Sequence, residues 1–277
     1  MGLLCWKVQL NLDSAVIKGC TINAITVGRP FFLSGGPQVG HATITKTDIS
    51  DYRGLGIVAA TSPSTLTVSR SKIVAAENLD VAGQIGILVG LGAKGTITHN
   101  KVSGNLCPPV PDCGPDFFNQ LQAFGITFDS GAGLVVSNND VYNNDVGIGV
   151  FGNGGKTDKI THNKLTDNPF FGLMIVDGNH TVSFTKISGG DVGVAAIATA
   201  VNTVATLDHI KIVDATTPLQ ELSCCGFTAE IVTIPPNSFQ TAQVKSAQQS
   251  SEVQELIKKK FGEKEDTSIS SSPVNPF

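Results

Sequence analysis

Aromatic and charged side chains are scarce in this chain of 277 residues, and each shortage argues against certain classes of function. The net charge is −4, so the chain lacks the basic excess of nucleic-acid-binding proteins, and we expect no such partner. No apolar run approaches the roughly 20 residues of a membrane-spanning helix, so we expect no membrane span. One Trp and two Tyr leave few rings on which a sugar could stack.

Motifs of well-known catalytic sites are missing as well. The sequence has no Gly-x-Ser-x-Gly elbow and no phosphate-binding loop. Its six cysteines include no Cys-x2-Cys pair, so we expect no metal site. Cys107 and Cys113 bracket a Pro-rich loop that a disulfide would hold, although six free thiols in a reducing compartment fit the sequence too.

What the chain has in abundance is repetition. One short pattern recurs, in which two aliphatic residues flank four small, polar or charged positions. Successive copies begin 22 to 39 residues apart and mostly near 24, which is typical of stacked coils that each add a layer to a shared core. The eight copies lie at residues 17–22, 44–49, 68–73, 97–102, 136–141, 160–165, 182–187 and 207–212.

The residues between the copies favour strands and sharp bends. Asn recurs at one position of three consecutive copies, and Asn tolerates left-handed backbone angles and can bond an equivalent Asn one coil away. Most copies are followed by a short segment that begins with Gly and is rich in β-branched residues, which predicts strands and disfavours helices. The two Asn columns are Asn100, Asn139 and Asn163, and Asn105, Asn144 and Asn168.

The units Thr-His-Asn-Lys-Val at 98–102 and Ser-Asn-Asn-Asp-Val at 137–141 resemble the repeats of the pectate-lyase-like superfamily of right-handed parallel β-helix proteins. The resemblance covers residues 15–215. It implies an all-β, single-stranded, right-handed parallel β-helix of about eight coils. That superfamily includes polysaccharide lyases, glycoside hydrolases, uronate epimerases, phage tailspikes and non-catalytic surface proteins, so the resemblance does not choose an activity.

Two regions depart from the repeat. The longest interval contains an insertion at residues 106–123, and insertions in solenoids often shape binding sites, although a mere surface decoration is the alternative. The repeats stop near residue 215. We therefore expect a β-helix at 1–215, a C-terminal strand and short helix packing on the solenoid at 216–262, and a disordered tail at 263–277.

Alignment of the copies produces outward columns of polar residues. Together they form a stripe with more cations than acids, which could attract an acidic polymer or simply keep the solenoid in solution. One of these columns, two positions after the first aliphatic of each copy, reads Gly19, Lys46, Arg70, His99, Asn138, His162, Phe184 and His209. Our candidate ligand-binding residues are His99, Lys101, Asp140, His162, Lys164 and, on the Gly-led strands, Phe151.

The Gly-led strands present an outer face that is almost wholly apolar. Such a face should be covered by the C-terminal segment, by the insertion, or by a second copy in a homo-oligomer. Asp129 is the exception on this face, and Asp177 ends a strand two coils further on. They are our candidate catalytic pair, because two carboxylates about 6.5–9.5 Å apart can hydrolyse a glycosidic bond with inversion.

The sequence favours an extracellular or cell-surface β-helix scaffold, or a carbohydrate-associated binding module without an evident catalytic signature, with polysaccharide as its partner. One alternative is a polysaccharide-active enzyme, a glycoside hydrolase or polysaccharide lyase that uses Asp129 and Asp177. Another is an oligomeric segment of a phage or surface fibre. We expect no cofactor, and Ca²⁺ would enter only if the chain were a lyase.

Overall fold

The computed structural model describes residues 3–5, 9–21, 23–28, 38–76, 83–108, 110–129, 133–152 and 158–241. Within these ranges the chain forms 27 strands and no helix. It passes through three parallel sheets in a fixed order, from sheet A to sheet B to sheet C, and each sheet has nine strands. One passage through the three sheets is one coil, so the architecture is a parallel β-helix.

The strands of each sheet follow in chain order. Sheet A contains β1 (Leu3–Cys5), β4 (Ile25–Val27), β7 (Leu55–Ala60), β10 (Ile85–Gly90), β13 (Phe124–Asp129), β16 (Val146–Phe151), β19 (Phe171–Val176), β22 (Val192–Ala198) and β25 (Thr217–Ser223). Sheet B contains β2 (Gln9–Asp13), β5 (His41–Thr45), β8 (Thr65–Ser69), β11 (Lys94–Thr98), β14 (Val135–Ser137), β17 (Lys159–Thr161), β20 (Gly178–Ser183), β23 (Thr203–Asp208) and β26 (Ala229–Ile234). Sheet C contains β3 (Val16–Lys18), β6 (Asp48–Tyr52), β9 (Lys72–Ala75), β12 (Lys101–Ser103), β15 (Asp140–Tyr142), β18 (Lys164–Thr166), β21 (Lys186–Ser188), β24 (Lys211–Ala215) and β27 (Ser238–Thr241).

The aliphatic residues of successive copies lie directly above one another, as predicted. Ile97 pairs with Val136, and Val136 pairs with Ile160, in consecutive strands of sheet B. All three side chains are almost fully buried. Because side chains alternate across a strand, the residues on either side of each aliphatic face outward. The hydrophobic core is therefore a continuous column along the axis, and the predicted fold class is confirmed.

The first copy of the repeat is not the one that the sequence pattern indicated. Ile17 lies in sheet C and pairs with Ile49, whereas the pattern had aligned it with Ile44. The residue level with Ile44 in sheet B is Leu12. The copy at 17–22 was therefore assigned one strand too late, because an aliphatic residue every five positions can be aligned in two ways.

In the three coils that contain the Asn columns, two corners are built from one left-handed residue followed by one buried Asn. In other coils a buried Thr47, Ser71 or Thr185 follows the left-handed residue of the corner between sheets B and C. At the corner between sheets B and C, His99 has φ 59° and Asn100 behind it is buried. The sequence analysis had placed Asn itself at the left-handed position, and this was wrong: the preceding residue makes the bend. The predicted Asn ladder is confirmed, because Asn100 Nδ2 donates to Asn139 Oδ1 at 3.1 Å and Asn139 Nδ2 donates to Asn163 Oδ1 at 3.0 Å.

A second ladder runs inside the corner between sheets C and A. Asn105 donates to Asn144 at 2.8 Å, and Asn144 donates to Asn168 at 3.2 Å. The buried hydroxyl of Tyr52 donates to Asn105 at 2.8 Å and closes the lower end of the ladder. The amides of both ladders also bond backbone groups, so buried polar atoms at the corners are satisfied between coils.

A Gly is the second residue of six strands of sheet A, β7, β10, β13, β16, β19 and β22, and it has a steric reason. In β16 this residue is Gly147, which lies beside the second Asn ladder, where neighbouring backbones approach closely. A Cβ at Gly147 would meet the carbonyl oxygen of Gly172 at 2.5 Å and the amide of Asn168 at 2.9 Å. Only a residue without a side chain fits there.

Strand pairing continues past residue 215. β25, β26 and β27 pair parallel with the preceding strands of their sheets, so residues 217–241 form a ninth coil. The extension predicted to begin at residue 216 thus opens with a full coil of the solenoid. The helix and tail predicted beyond it lie outside the described residues.

Candidate functional site

Three aromatic rings stack along the outside of the corner between sheets B and C. His162, Phe184 and His209 occupy the left-handed position of three consecutive coils, with φ between 48° and 56°. The ring centroids of His162 and Phe184 are 4.8 Å apart, and those of Phe184 and His209 are 4.6 Å apart. The planes are nearly parallel. We call these residues the ring stack.

The exposed part of the ring stack is its edges. Each face of Phe184 lies against a histidine ring, yet the residue is 47 % exposed, so solvent meets mainly the rim of the ring. The edge of an aromatic ring carries partial positive charge, whereas its face is negative. The stack therefore offers little open ring face to a neutral sugar and favours an anionic group beside it.

A column of lysines runs next to the ring stack in sheet C. Lys164 pairs with Lys186, and Lys186 pairs with Lys211, at the outward position of β18, β21 and β24. Lys164 also contacts Asp140 of the coil below, with Nζ 3.3 Å from Oδ1. Among the residues that the structure describes, no acidic partner contacts Lys186 or Lys211. These two charges are available to a ligand.

The ring stack and the lysines line an open groove of about 500 Å³. Its far wall is the loop before β27, which contributes Pro236 and Asn237. The Asn237 side chain accepts from the Ile210 N–H at 2.6 Å and donates to the Leu207 carbonyl at 3.1 Å, so this wall is tied to the coil below. We use "the groove" for the ring stack, Lys186, Lys211 and Asn237.

The residues predicted to bind a ligand are not all brought together. His162 lies in the groove and Lys164 lies beside it, below Lys186. His99, Lys101 and Asp140 belong to lower coils of the same stripe, outside the groove. Phe151 lies in sheet A and packs edge-on against Phe124, with the centroids 5.8 Å apart. Phe184 and His209 stand in the column read from the sequence but were not among the predicted residues, and neither were Lys186 and Lys211.

The two candidate catalytic carboxylates both cap turns of neighbouring coils. Asp129 accepts the Leu91 N–H at 2.9 Å. Asp177 accepts N–H groups from three successive residues, Thr199, Ala200 and Val201, and the Thr199 hydroxyl at 2.7 Å.

The hydrogen bonds to Asp177 set its protonation. Burial by itself would raise the pKa of Asp177, but the donors from Ala200, Thr199 and Val201 outweigh it and hold the pKa below its usual value. Such a carboxylate stays ionised, and its oxygens are engaged by these donors. A general acid for glycoside hydrolysis needs a raised pKa, so Asp177 is suited to fixing the turn.

The insertion at 106–123 is held at both ends by one carboxylate that the sequence analysis did not select. Asp145 Oδ2 accepts the N–H of Cys107 at 2.8 Å and that of Ala123 at 3.0 Å. Burial raises the pKa of Asp145 to about 6, although both hydrogen bonds oppose the rise. The sulfurs of Cys107 and Cys113 form a disulfide across the start of the insertion, and a second disulfide joins Cys224 to Cys225.

The apolar outer face of sheet A is buried over its upper coils. Met174 and Ala195 are fully buried although they face away from the core. They belong to a second cluster against which Phe117 of the insertion packs, together with other rings. The insertion is therefore one of the elements that cover this face.

These features define a class of protein, a repetitive β-solenoid whose outer corner displays a row of side chains. A family model described as right-handed beta helix region matches residues 6–188, and the chain belongs to this family. Comparison with curated proteins gives no match, and comparison with solved structures gives none either. The family assignment confirms the predicted β-helix recognition.

In the described part of the chain, no three His, Cys, Asp or Glu side chains come close enough together to hold a metal ion. The same residues include no helix of the length and apolar character needed to cross a membrane.

Proposed function

We propose that this protein is a non-catalytic β-helix scaffold that binds an acidic polysaccharide in the groove. The observation that carries the proposal is the ring stack beside two lysines that have no acidic partner among the described residues. The exposed ring edges of His162, Phe184 and His209 and the ammonium groups of Lys186 and Lys211 all favour negative charge.

The geometry favours a repetitive ligand. The corner residues recur once per coil, so the groove extends along the solenoid axis with strands about 4.8 Å apart. A polymer that carries one anionic group per sugar can lie along such a row and contact several coils. Carboxylates or sulfate esters would lie between the lysines. Hydroxyl groups would meet the Nε2 atoms of the two histidines, since Nδ1 of His162 bonds the Thr161 hydroxyl and Nδ1 of His209 bonds Asp208.

The protonation of Asp177 supports a binding role over an enzymatic one. Its carboxylate is held by four donors and its pKa is lowered, so it is not available as a proton donor. We place the protein outside the cell or on its surface, because two disulfides are typical of an oxidising compartment.

The test is a polysaccharide panel scored for both binding and cleavage. Polygalacturonate, alginate and heparin serve as acidic probes, and dextran and xyloglucan serve as neutral ones. We expect acidic probes to bind without being shortened, with an affinity that falls as salt is added. Equal binding of neutral probes, or a measurable loss of chain length, would contradict the proposal.

Variants locate the site within the panel. Phe184→Ala removes the central ring and lets both histidines move, and we expect the affinity to fall about tenfold, the equivalent of one or two ring contacts. Phe118→Ala is the matched control, since Phe118 is 46 % exposed and Phe184 is 47 % exposed, but it lies on the insertion. The double variant Lys186→Gln, Lys211→Gln should flatten the salt dependence.

A further inference from the structure

The insertion at 106–123 presents apolar side chains to solvent. Val110, Phe118 and Leu121 are 43 %, 46 % and 53 % exposed. Phe117 beside them packs into the cluster on sheet A and meets Phe118 edge-to-face at 5.3 Å, so the exposed ring is anchored from behind. Three large apolar side chains on one short loop are the kind of patch that marks an interaction site.

Hydrogen bonds and a disulfide cross-link the described residues of the insertion. Gln120 Nε2 donates to the Pro111 carbonyl at 3.0 Å, Gln122 Nε2 donates to the Gly114 carbonyl at 2.9 Å, and the Leu121 N–H donates to the Asp112 carbonyl at 2.7 Å. The Cys107–Cys113 disulfide and the Asp145 carboxylate hold its ends. A loop fixed before binding loses little conformational entropy when it docks, so its exposed groups serve well as an anchor.

The insertion is also acidic. Asp112 and Asp116 are its only charged residues, and both are exposed. A partner surface that suits it must offer an apolar contact for Phe118 and positive charge for the two carboxylates. The groove has both, since the exposed rim of Phe184 can meet the face of the Phe118 ring edge-to-face, and Lys186 and Lys211 lie beside it.

The insertion and the groove of one chain lie at different corners of the solenoid. The insertion joins β12 of sheet C to β13 of sheet A, whereas the groove lies between sheets B and C several coils above. We propose that the insertion of one copy docks in the groove of a second copy. The docked pair then has one free groove, on the first copy, and one free loop, on the second copy, and such a head-to-tail contact builds open chains.

The test measures association by sedimentation velocity over a range of protein concentrations. The wild-type chain should form a series of assemblies that grows with concentration and shrinks with added salt. The loop variant Phe118→Ser, Leu121→Ser and the groove variant Lys186→Glu, Lys211→Glu should each be monomeric by themselves. Val16→Ser is the control for loss of an exposed apolar residue elsewhere, since Val16 is 74 % exposed, and it should associate like the wild type.

Mixing the two variants gives the sharpest outcome. The loop variant keeps a working groove and the groove variant keeps a working loop, so an equimolar mixture should form one-to-one dimers and nothing larger. A wild-type chain that stays monomeric up to its solubility limit overturns the proposal. So does a mixture without dimers, or a groove variant that associates normally, because the loop then docks elsewhere.

The same proteins separate this proposal from polysaccharide binding. The loop variant should bind polygalacturonate at least as tightly as the wild type does, since its groove is intact and no loop competes for it. Saturating polygalacturonate should dissociate the wild-type assemblies into monomers, because the polymer and the acidic loop compete for the same lysines. If assemblies form but no polysaccharide binds, self-association stands and the proposed function fails; binding without assembly gives the reverse.

Discussion

Replacing Asp145 with Asn should change how the stability of the protein depends on pH. In the wild type, the buried Asp145 carboxylate accepts two backbone N–H groups at the ends of the insertion. Its pKa is about 6, compared with an ordinary value of 3.8. An Asn side chain keeps an oxygen that can accept both N–H groups, but it carries no charge at any pH.

The sign of the effect follows from proton linkage. Between pH 3.8 and about 6 the folded protein holds a proton on Asp145 more often than the unfolded chain does. The free energy of unfolding therefore falls as the pH rises through this window. A rise of about two units corresponds to at most about 3 kcal/mol. The stability of the wild type minus that of Asp145→Asn should thus be greatest near pH 4 and smaller above pH 6.

Urea unfolding followed by circular dichroism at a series of pH values measures this difference. Hydrogen exchange at Cys107 and Ala123 reports on the same bonds locally, with the variant compared at equal pH. Asp116→Asn is a control of opposite sign, since a hydrogen bond from Asn119 chiefly lowers the pKa of this exposed carboxyl. The ionised Asp116 carboxylate therefore contributes to the free energy of unfolding above its ordinary pKa, and this contribution is lost as the pH falls. A difference for Asp145 that is constant, or that increases with pH, would refute the reasoning.

Three other substitutions test the architecture by chemical denaturation. Asn139→Ala removes an amide that bonds Ile97 O, Asn163 Oδ1 and the amide of Asn100. It should lower the free energy of unfolding by about 3 kcal/mol or more. Asn179→Ala, at an exposed position, is the control and should change this free energy by less than about 0.5 kcal/mol. Gly147→Ala forces a Cβ against backbone and should cost about 1–3 kcal/mol, and a neutral result would show that the sheet can spread.

The fold could be predicted because one geometric rule repeats along the chain. Ile97, Val136 and Ile160 are each followed by a residue with a hydroxyl group and each lie at the same level of consecutive coils, and the interval of about 24 residues is the length of one coil. The alignment of the first copy could not be fixed in this way. Leu12, Ile17 and Ile22 are evenly spaced, so only the pairing of Leu12 with Ile44 decides which strand belongs to which sheet.

The candidate site was harder to predict, because it combines two columns of side chains, the rings at the corner between sheets B and C and the lysines of sheet C. The column that contains His162, Phe184 and His209 was visible in the sequence, but the stacking of the rings follows from their shared left-handed backbone. The role of Asp145 left no local signal, since the N–H groups that it binds lie 38 and 22 residues away. The same holds for Asp177, whose donors belong to the next coil.

The left-handed corner between sheets B and C accepts very different residues. Ser, Lys, Arg, His, Asn and Phe all occupy it with φ between 47° and 59°. The left-handed conformation costs a non-glycine residue about 1–2 kcal/mol relative to the right-handed one, because the strain arises between Cβ and the backbone. The side chain beyond Cβ is thus under little folding constraint. Substitutions at this corner can therefore change which side chains the surface presents in each coil, while the interior stays the same.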